Sequence, residues 1–266
     1  REKNLKTHVI EIVDSESISD EALSFFTENE REKEEIKYVL QLFDNGKQYG
    51  SLIVPDSSIS YDRYIERLEQ LKENVSIYDL EKQAYIKELD AKLQPVLRQG
   101  KLLSTKYHVV VTNPPYHNKY NPDLKRFMER HYKDFKADLY SAFIYRCTQM
   151  TVKNGYSALM TPFTWMFIST HQKLREYIID NQSISSLIQL EYSAFKDATV
   201  PLCTFVIQNQ DEKSVGEYVR LSDFKGDQAE KVREAVRKKV SYRYRFDSKN
   251  FRDIPGSPIA YWASDQ

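Results

Sequence analysis

Tyr107 to Tyr116 reads YHVVVTNPPY, and this stretch decides the fold. Tyr107 to Thr112 is a continuous apolar, mostly β-branched run that reads as a strand. Two prolines stop it abruptly, because proline can neither donate to a central ladder nor continue it. Downstream the pattern alternates. The spacing predicts helices over Asp123 to Phe135 and Asp138 to Lys153, a turn at Asn154-Gly155, and a strand over Tyr156 to Thr161. A capped helix from Ser169-Thr170 to Asp180 and strands over Ser186 to Glu191 and Leu202 to Gln208 follow. Strand-helix alternation of this kind predicts an α/β layer fold with a mostly parallel sheet. In such sheets ligands sit beyond the carboxyl ends of the strands, which is where Asn113 to Tyr116 falls.

Upstream, His8 to Val13 (HVIEIV) reads as a buried strand closed by a polar turn at Asp14-Ser15. Ser19 and Asp20 offer caps for a helix running towards Asn29, and Glu30 to Phe43 continues helically. From Tyr61 to Arg98 the apolar residues Ile65, Leu68, Leu71, Leu80, Tyr85, Ile86, Leu89, Leu93 and Val96 recur at helical spacing among charges. This predicts an antiparallel helical pair, bent near Asn74-Val75-Ser76, forming a solvated insertion over residues 55–100.

The composition excludes several function classes. The 266 residues carry 39 basic and 39 acidic side chains, so no overall field announces a polyanionic partner. Seven glycines, none in a G-x-G arrangement, exclude a phosphate-cradling loop within this chain. A mean hydropathy of −0.63 with 41% hydrophobic residues describes a globular chain with no membrane-spanning run. Cys147 and Cys203 lack C-x-x-C spacing, so neither a disulfide framework nor a metal site is expected, and a reducing cytoplasm fits. The opening Arg1-Glu2-Lys3 reads as an internal start within a longer protein. The neutral total conceals a basic end. Lys231 to Arg252 holds nine Lys and Arg against Glu234 and Asp247, a local net of +7. There Tyr242, Tyr244 and Phe246 interleave with Arg243 and Arg245, a pattern suited either to phosphate and base contacts or to an edge strand with solvated arginines.

The tetrapeptide Asn113-Pro114-Pro115-Tyr116 suits a planar amino group. The Asn113 side-chain oxygen and the Pro114 carbonyl can accept both N–H bonds of an exocyclic amine, and the prolines bring no competing N–H. Holding both hydrogens turns the nitrogen lone pair towards an electrophile. Tyr116 can stack on the ring that bears the amine, and such stacking contributes roughly 1–3 kcal/mol, comparable to the cost of extruding a base. His108 and His117 receive no role, since the proton released on methylation can leave to water.

Residues Tyr107 to Asn209 resemble the amino-methylating, adenine-specific DNA methyltransferases of the gamma class, through VVVTNPPY, ADLYSAFIYR and NGYSALMTPFTWMFISTHQKLREYI. FRDIPGSPIAYW near the end and DNGKQYGSLIVP upstream are similar to the branch found in bacteriophage-exclusion (BREX) defence systems. The resemblance implies a partial Rossmann-like, S-adenosyl-L-methionine-dependent fold acting on adenine N6 of double-stranded DNA with the adenine flipped out. It implies Asn113, Pro114, Pro115 and Tyr116 as the amine motif, and Phe195 as the aromatic on the base's other face. Asp14, with Asp44 as rival, matches the acceptor for the cofactor's adenine amine, and Phe143 an apolar contact to it. It further implies a catalytic domain over 1–210 and a basic extension over 211–266, a bacterial cytoplasmic setting, and other defence-system subunits as partners. The family's glycine-rich cofactor loop is expected upstream of Arg1 and its target-recognition region beyond Gln266. The 266 residues alone are therefore expected to hold the cofactor weakly or not at all. Two alternatives stay open, methylation of a protein glutamine or of RNA, and a non-catalytic interaction module on the same scaffold.

Overall fold

A computed structural model of the chain describes residues 7–192, 200–210, 212, 214–225 and 228–263. Contacts divide the chain at Thr105, giving two units, residues 1–105 and 106–266.

In the first unit, α1 (Asp20–Phe26), α2 (Glu30–Leu42) and the short α3 (Gly46–Tyr49) precede α4 (Tyr61–Asn74) and α5 (Leu80–Ser104). Ser19 and Asn29 cap α1 and α2 by accepting from Ala22 N and Glu32 N. The two long helices are antiparallel, as the pairing of Asp62 with Lys101, Glu69 with Gln94 and Lys72 with Asp90 requires. Glu32 is buried and gripped by Arg63 (2.6 Å) and Arg67 (2.5 Å). The Arg67 hydrogen bond above all holds its carboxyl below the usual range. The expected insertion is in fact the spine of this unit. Leu89, Leu93, Val96 and Leu97 of α5 are fully buried and α1, α2 and α4 all pack on that helix.

The HVIEIV strand does not form; residues 7–19 run without strand structure and the first unit holds no strand among the described residues. A β-branched run needs a neighbouring ladder, and none is there. One side chain substitutes for it. Gln99 of α5 accepts from Val13 N and donates to Val13 O, both at 3.0 Å. Ser15 N donates to Phe43 O (2.9 Å), which ties this segment to the chain between α2 and α3.

The second unit is built on β1 (Tyr107–Thr112), β2 (Thr151–Pro162), β3 (Ser183–Gln189), β4 (Leu202–Gln208), β5 (Val215–Arg220) and β6 (Arg243–Asp247), in the sheet order β1-β2-β4-β3-β5-β6. Helices α6 (Pro122–His131), α7 (Leu139–Met150), α8 (Gln172–Asn181) and α9 (Ala229–Arg237) complete it. The α/β class is as expected, but the sheet is mixed. β1–β2 and β3–β5 pair parallel, while β4 lies antiparallel to both β2 and β3, and β6 antiparallel to β5. Four strands thus share one direction and two oppose it. The alternating pattern could not reveal this, because β4 slots between β2 and β3 with no crossover helix among the described residues.

Of residues 211–266, expected as an extension, the described ones supply β5 and β6 to this sheet, the helix α9, and several side chains to its core. Phe251, Ile259 and Tyr261 are buried in one cluster with Tyr140, Trp165, Phe205 and Tyr218. Arg175 of α8 ties the end of the chain down, donating to Gly256 O, Ser257 O, Trp165 O and Ile168 O at 2.7–3.2 Å. No helix among the described residues is long and apolar enough to cross a membrane.

Candidate active site at the carboxyl end of β1

β1 delivers Asn113 to the rim of the sheet, and the prolines divert the chain there. Pro114 is buried while Asn113, Pro115 and Tyr116 are exposed, so the loop is anchored through one ring and presents its neighbours. The Tyr116 hydroxyl donates to Asn113 Oδ1 at 2.6 Å and lies 3.2 Å from Met160 O, near the carboxyl end of β2. One side of the tetrapeptide therefore rests on the neighbouring strand. Asn113 Oδ1 retains a second lone pair, and no donor reaches the Pro114 carbonyl among the described residues. Burial raises the Tyr116 phenol, so it stays neutral and able to donate.

The loop is fastened on its far side by α7. His117 N donates to Asp138 Oδ1 (2.9 Å), which also caps α7 by accepting from Tyr140 N (3.3 Å), and Leu139 N returns a bond to His117 O (2.9 Å). Burial, partly offset by these backbone donors, raises the Asp138 carboxyl above the usual range.

Behind Tyr116 stands a buried polar group that sequence reasoning missed. The Tyr140 ring meets the Tyr116 ring edge to face, with centroids 6.3 Å apart and planes at 87°. The Tyr140 hydroxyl bonds His171 Nε2 (2.8 Å) and Thr164 Oγ1 (3.1 Å), and His171 Nδ1 meets Ser141 Oγ (2.9 Å). Burial and then the Arg175 charge push His171 down to about 4, so its ring is neutral at pH 7 and locked between two hydroxyls. Tyr140 and Ser141 lie thirty residues or more from His171, and only the apolar spacing of α7 hinted that Tyr140 turns inward.

The remaining expected residues are scattered. Asp14 and Asp44 lie in the first unit. Asp14 Oδ1 accepts from Lys47 N (2.9 Å) at the start of α3, and Asp44 Oδ1 accepts from Ser15 Oγ (3.0 Å). Both carboxylates thus tie residues 14–15 to the junction of α2 and α3, each with one oxygen left over. Phe143 is half-buried on α7. Phe195 lies outside the described residues. In the basic end, Arg243 and Arg245 both pair with Glu217 of β5 (2.8 and 3.0 Å), while Tyr244 and Phe246 pack onto the core. The alternation of Tyr242 to Phe246 is therefore that of an edge strand with one buried face, and its aromatic rings are not a stacking platform.

The chain matches the Eco57I restriction-modification methylase family over residues 15–195. It is 36% identical over 238 residues to the adenine-specific methyltransferase PglX of Lacticaseibacillus casei (strain Zhang), covering 85% of this chain and 19% of that protein. To the adenine-specific methyltransferase BrxX of Escherichia coli O9:H4 (strain HS) it is 32% identical over 235 residues, 85% of this chain and 18% of that one. The chain spans about a fifth of the length of these curated relatives. Among solved structures, the methyltransferase subunit of a type I restriction-modification system from Streptococcus thermophilus superposes with a TM-score of 0.46 at 16% identity, over 63% of this chain and 45% of that one. With two thirds of its sequence inside the family match and the Asn-Pro-Pro-Tyr loop at the rim of an α/β sheet, the chain belongs to the Eco57I restriction-modification methylase family.

Proposed function

We propose that this chain carries the amine-accepting part of a DNA methyltransferase that modifies adenine N6 in restriction-modification or phage defence. The observation that carries the reading is the pair of acceptors at the end of β1, Asn113 Oδ1 and the Pro114 carbonyl, beside a tyrosine ring that is part exposed. Their chemistry calls for a planar donor with two N–H bonds, which an extruded adenine presents. The two relatives named as adenine-specific methyltransferases point to the same substrate.

Asn113 and Pro114 accept the two amine hydrogens, draw the nitrogen lone pair out of conjugation with the ring and fix its direction. Pro115 keeps the loop rigid and free of N–H donors. Tyr116, backed by Tyr140, offers a face for the extruded base, and Phe195 is assigned to the opposite face. The proton leaves the methylated amine to water without a dedicated base. S-adenosyl-L-methionine, when bound, supplies the electrophilic methyl group. In the second unit, the half-buried ring of Phe143 suits an apolar contact to the adenine of that cofactor; in the first unit, Asp14 keeps one carboxylate oxygen for a donor. The chain holds no glycine-rich loop for the remainder.

The test is Asn113→Ala in the full-length protein, given labelled cofactor with duplex DNA, RNA or a glutamine peptide in parallel. Transfer to duplex DNA that falls by orders of magnitude in the variant supports the reading. Unchanged transfer, or transfer to RNA or peptide alone, ends it.

A further inference from the structure

The basic end still carries charge that the sheet does not use. Of the nine cations between Lys231 and Arg252, six are committed. Lys231 pairs with Glu234 and Arg233 with Glu230; Arg243 and Arg245 share Glu217. Lys249 donates to the carbonyls of Ile179, Asp180 and Gln182, and Arg252 reaches Asp180 and Glu176. The three left over are consecutive. Arg237, Lys238 and Lys239 are exposed at the end of α9 and make no ion pair among the described residues. Glu234, whose carboxylate Lys238 also stabilises through space, is bound by Lys231 and the Tyr242 hydroxyl.

Topology puts this triplet on the same rim as the Asn-Pro-Pro-Tyr loop. β1, β2, β3 and β5 share a direction, so their carboxyl ends lie together with the amino ends of β4 and β6. Arg243, the first residue of β6, pairs with Val219 near the end of β5, and Arg220 N bonds Tyr242 O at 3.0 Å. The chain therefore climbs from Arg237 into β6 at that rim. The two features are five strand spacings apart along the sheet, about 24 Å at ~4.8 Å each. At about 3.4 Å per base pair this is roughly seven base pairs of duplex.

Resting on the DNA reading above, we propose that Arg237, Lys238 and Lys239 form a clamp on the backbone of duplex DNA, gripping phosphates about seven base pairs from the extruded adenine. The clamp reads no bases, so it adds affinity and fixes how the duplex lies across the rim of the sheet. Cations in this position also favour the carboxyl end of α9, a structural role that needs no DNA and that the salt dependence separates.

The experiment uses the full-length protein and the triple variant R237Q/K238Q/K239Q. Each is titrated by fluorescence anisotropy with duplexes of eight and thirty base pairs, whose central adenine faces an abasic position to ease extrusion. Counterion release predicts that on the long duplex the slope of log K against log salt becomes shallower by up to about 2.7. On the short duplex, which cannot reach the triplet, the two proteins should match. Lys153→Gln, an exposed lysine at the opposite rim, should keep the parent's slope. If the triple variant does not fold, Lys239→Gln alone, beyond the last turn of α9, should lower the slope by about 0.9. A parent that binds the long duplex while the triple variant shows the same slope refutes the clamp and leaves the DNA reading standing, as does an equal loss on both duplexes. A parent that binds neither duplex refutes both.

Discussion

Removing the Tyr116 hydroxyl while keeping its ring separates two functions that one residue combines. In Tyr116→Phe the ring still stands against Tyr140, but Asn113 Oδ1 loses the donor that holds its amide at 2.6 Å. One such hydrogen bond at a part-exposed site is worth about 0.5–1.5 kcal/mol net. If the amide must be re-oriented for every turnover, kcat should fall by about 2- to 13-fold. Affinity for DNA should hardly change, because the stacking face survives. Tyr116→Ala loses the ring as well. A further ~1–3 kcal/mol of stacking disappears, so base extrusion should weaken by about 5- to 160-fold beyond the Phe variant. Labelled methyl transfer into duplex DNA by the full-length protein reports the first quantity, and fluorescence of 2-aminopurine at the target position reports the second. Equal kinetics for the Phe and Ala variants would show that the ring does nothing. A Phe variant as fast as the parent would show that the hydroxyl does not orient Asn113.

Three further outcomes follow from the same unit. His171 has its folded value pushed down to about 4 from about 6.5, so the stability it contributes is present above pH 6.5 and is lost as pH falls towards 4; this amounts to about 3 kcal/mol. Urea unfolding at pH 7.5 and pH 4 should show that difference shrink by a comparable amount in His171→Gln, and an identical pH dependence would contradict it. Arg175→Met should cost about 3–5 kcal/mol, because four carbonyls lose their donor in a site that is 2% exposed; a melting temperature equal to the parent's would refute the clamp on the chain end. Gly216→Ala would place a Cβ 2.1 Å from Ile184 O of the paired strand, so β3 and β5 must part at a cost of about 1–3 kcal/mol or more, measurable by denaturant unfolding.

The parts of the fold legible in the sequence are those where a local pattern and a terminator coincide. β1 and its proline stop, the Ser19 cap of α1 and the bounds of β4 fall into this class. Strand direction was not legible, since β4 has the same alternation whichever way it pairs. HVIEIV misled because β-branched residues encode only a willingness to pair, and the helical first unit offers no partner. The end of the chain misled for the opposite reason. Its charge is conspicuous in the sequence, while the buried Phe251, Ile259 and Tyr261 that bind it to the core are widely spaced and lack periodicity. In the site, the Asn-Pro-Pro-Tyr loop was visible from residue types alone. Its support by Tyr140, Thr164 and His171 was not, because those contacts join α7 to segments 24 to 31 residues away.

The grip of Gln99 on Val13 has a consequence for positional accuracy in the first unit. A strand held by a ladder can slip two residues and still bury the same face. A single amide that both donates to and accepts from one residue admits no such slip, because only one peptide can occupy it. Val13 is thereby indexed against α5, and with it Asp14 against Lys47 N and Ser15 against Phe43 O. Insertion of one residue between Val13 and Asp14, or at residues 43–45 between α2 and α3, would move Asp14 out of register with Lys47 N, so these two segments tolerate changes of side chain far better than changes of length.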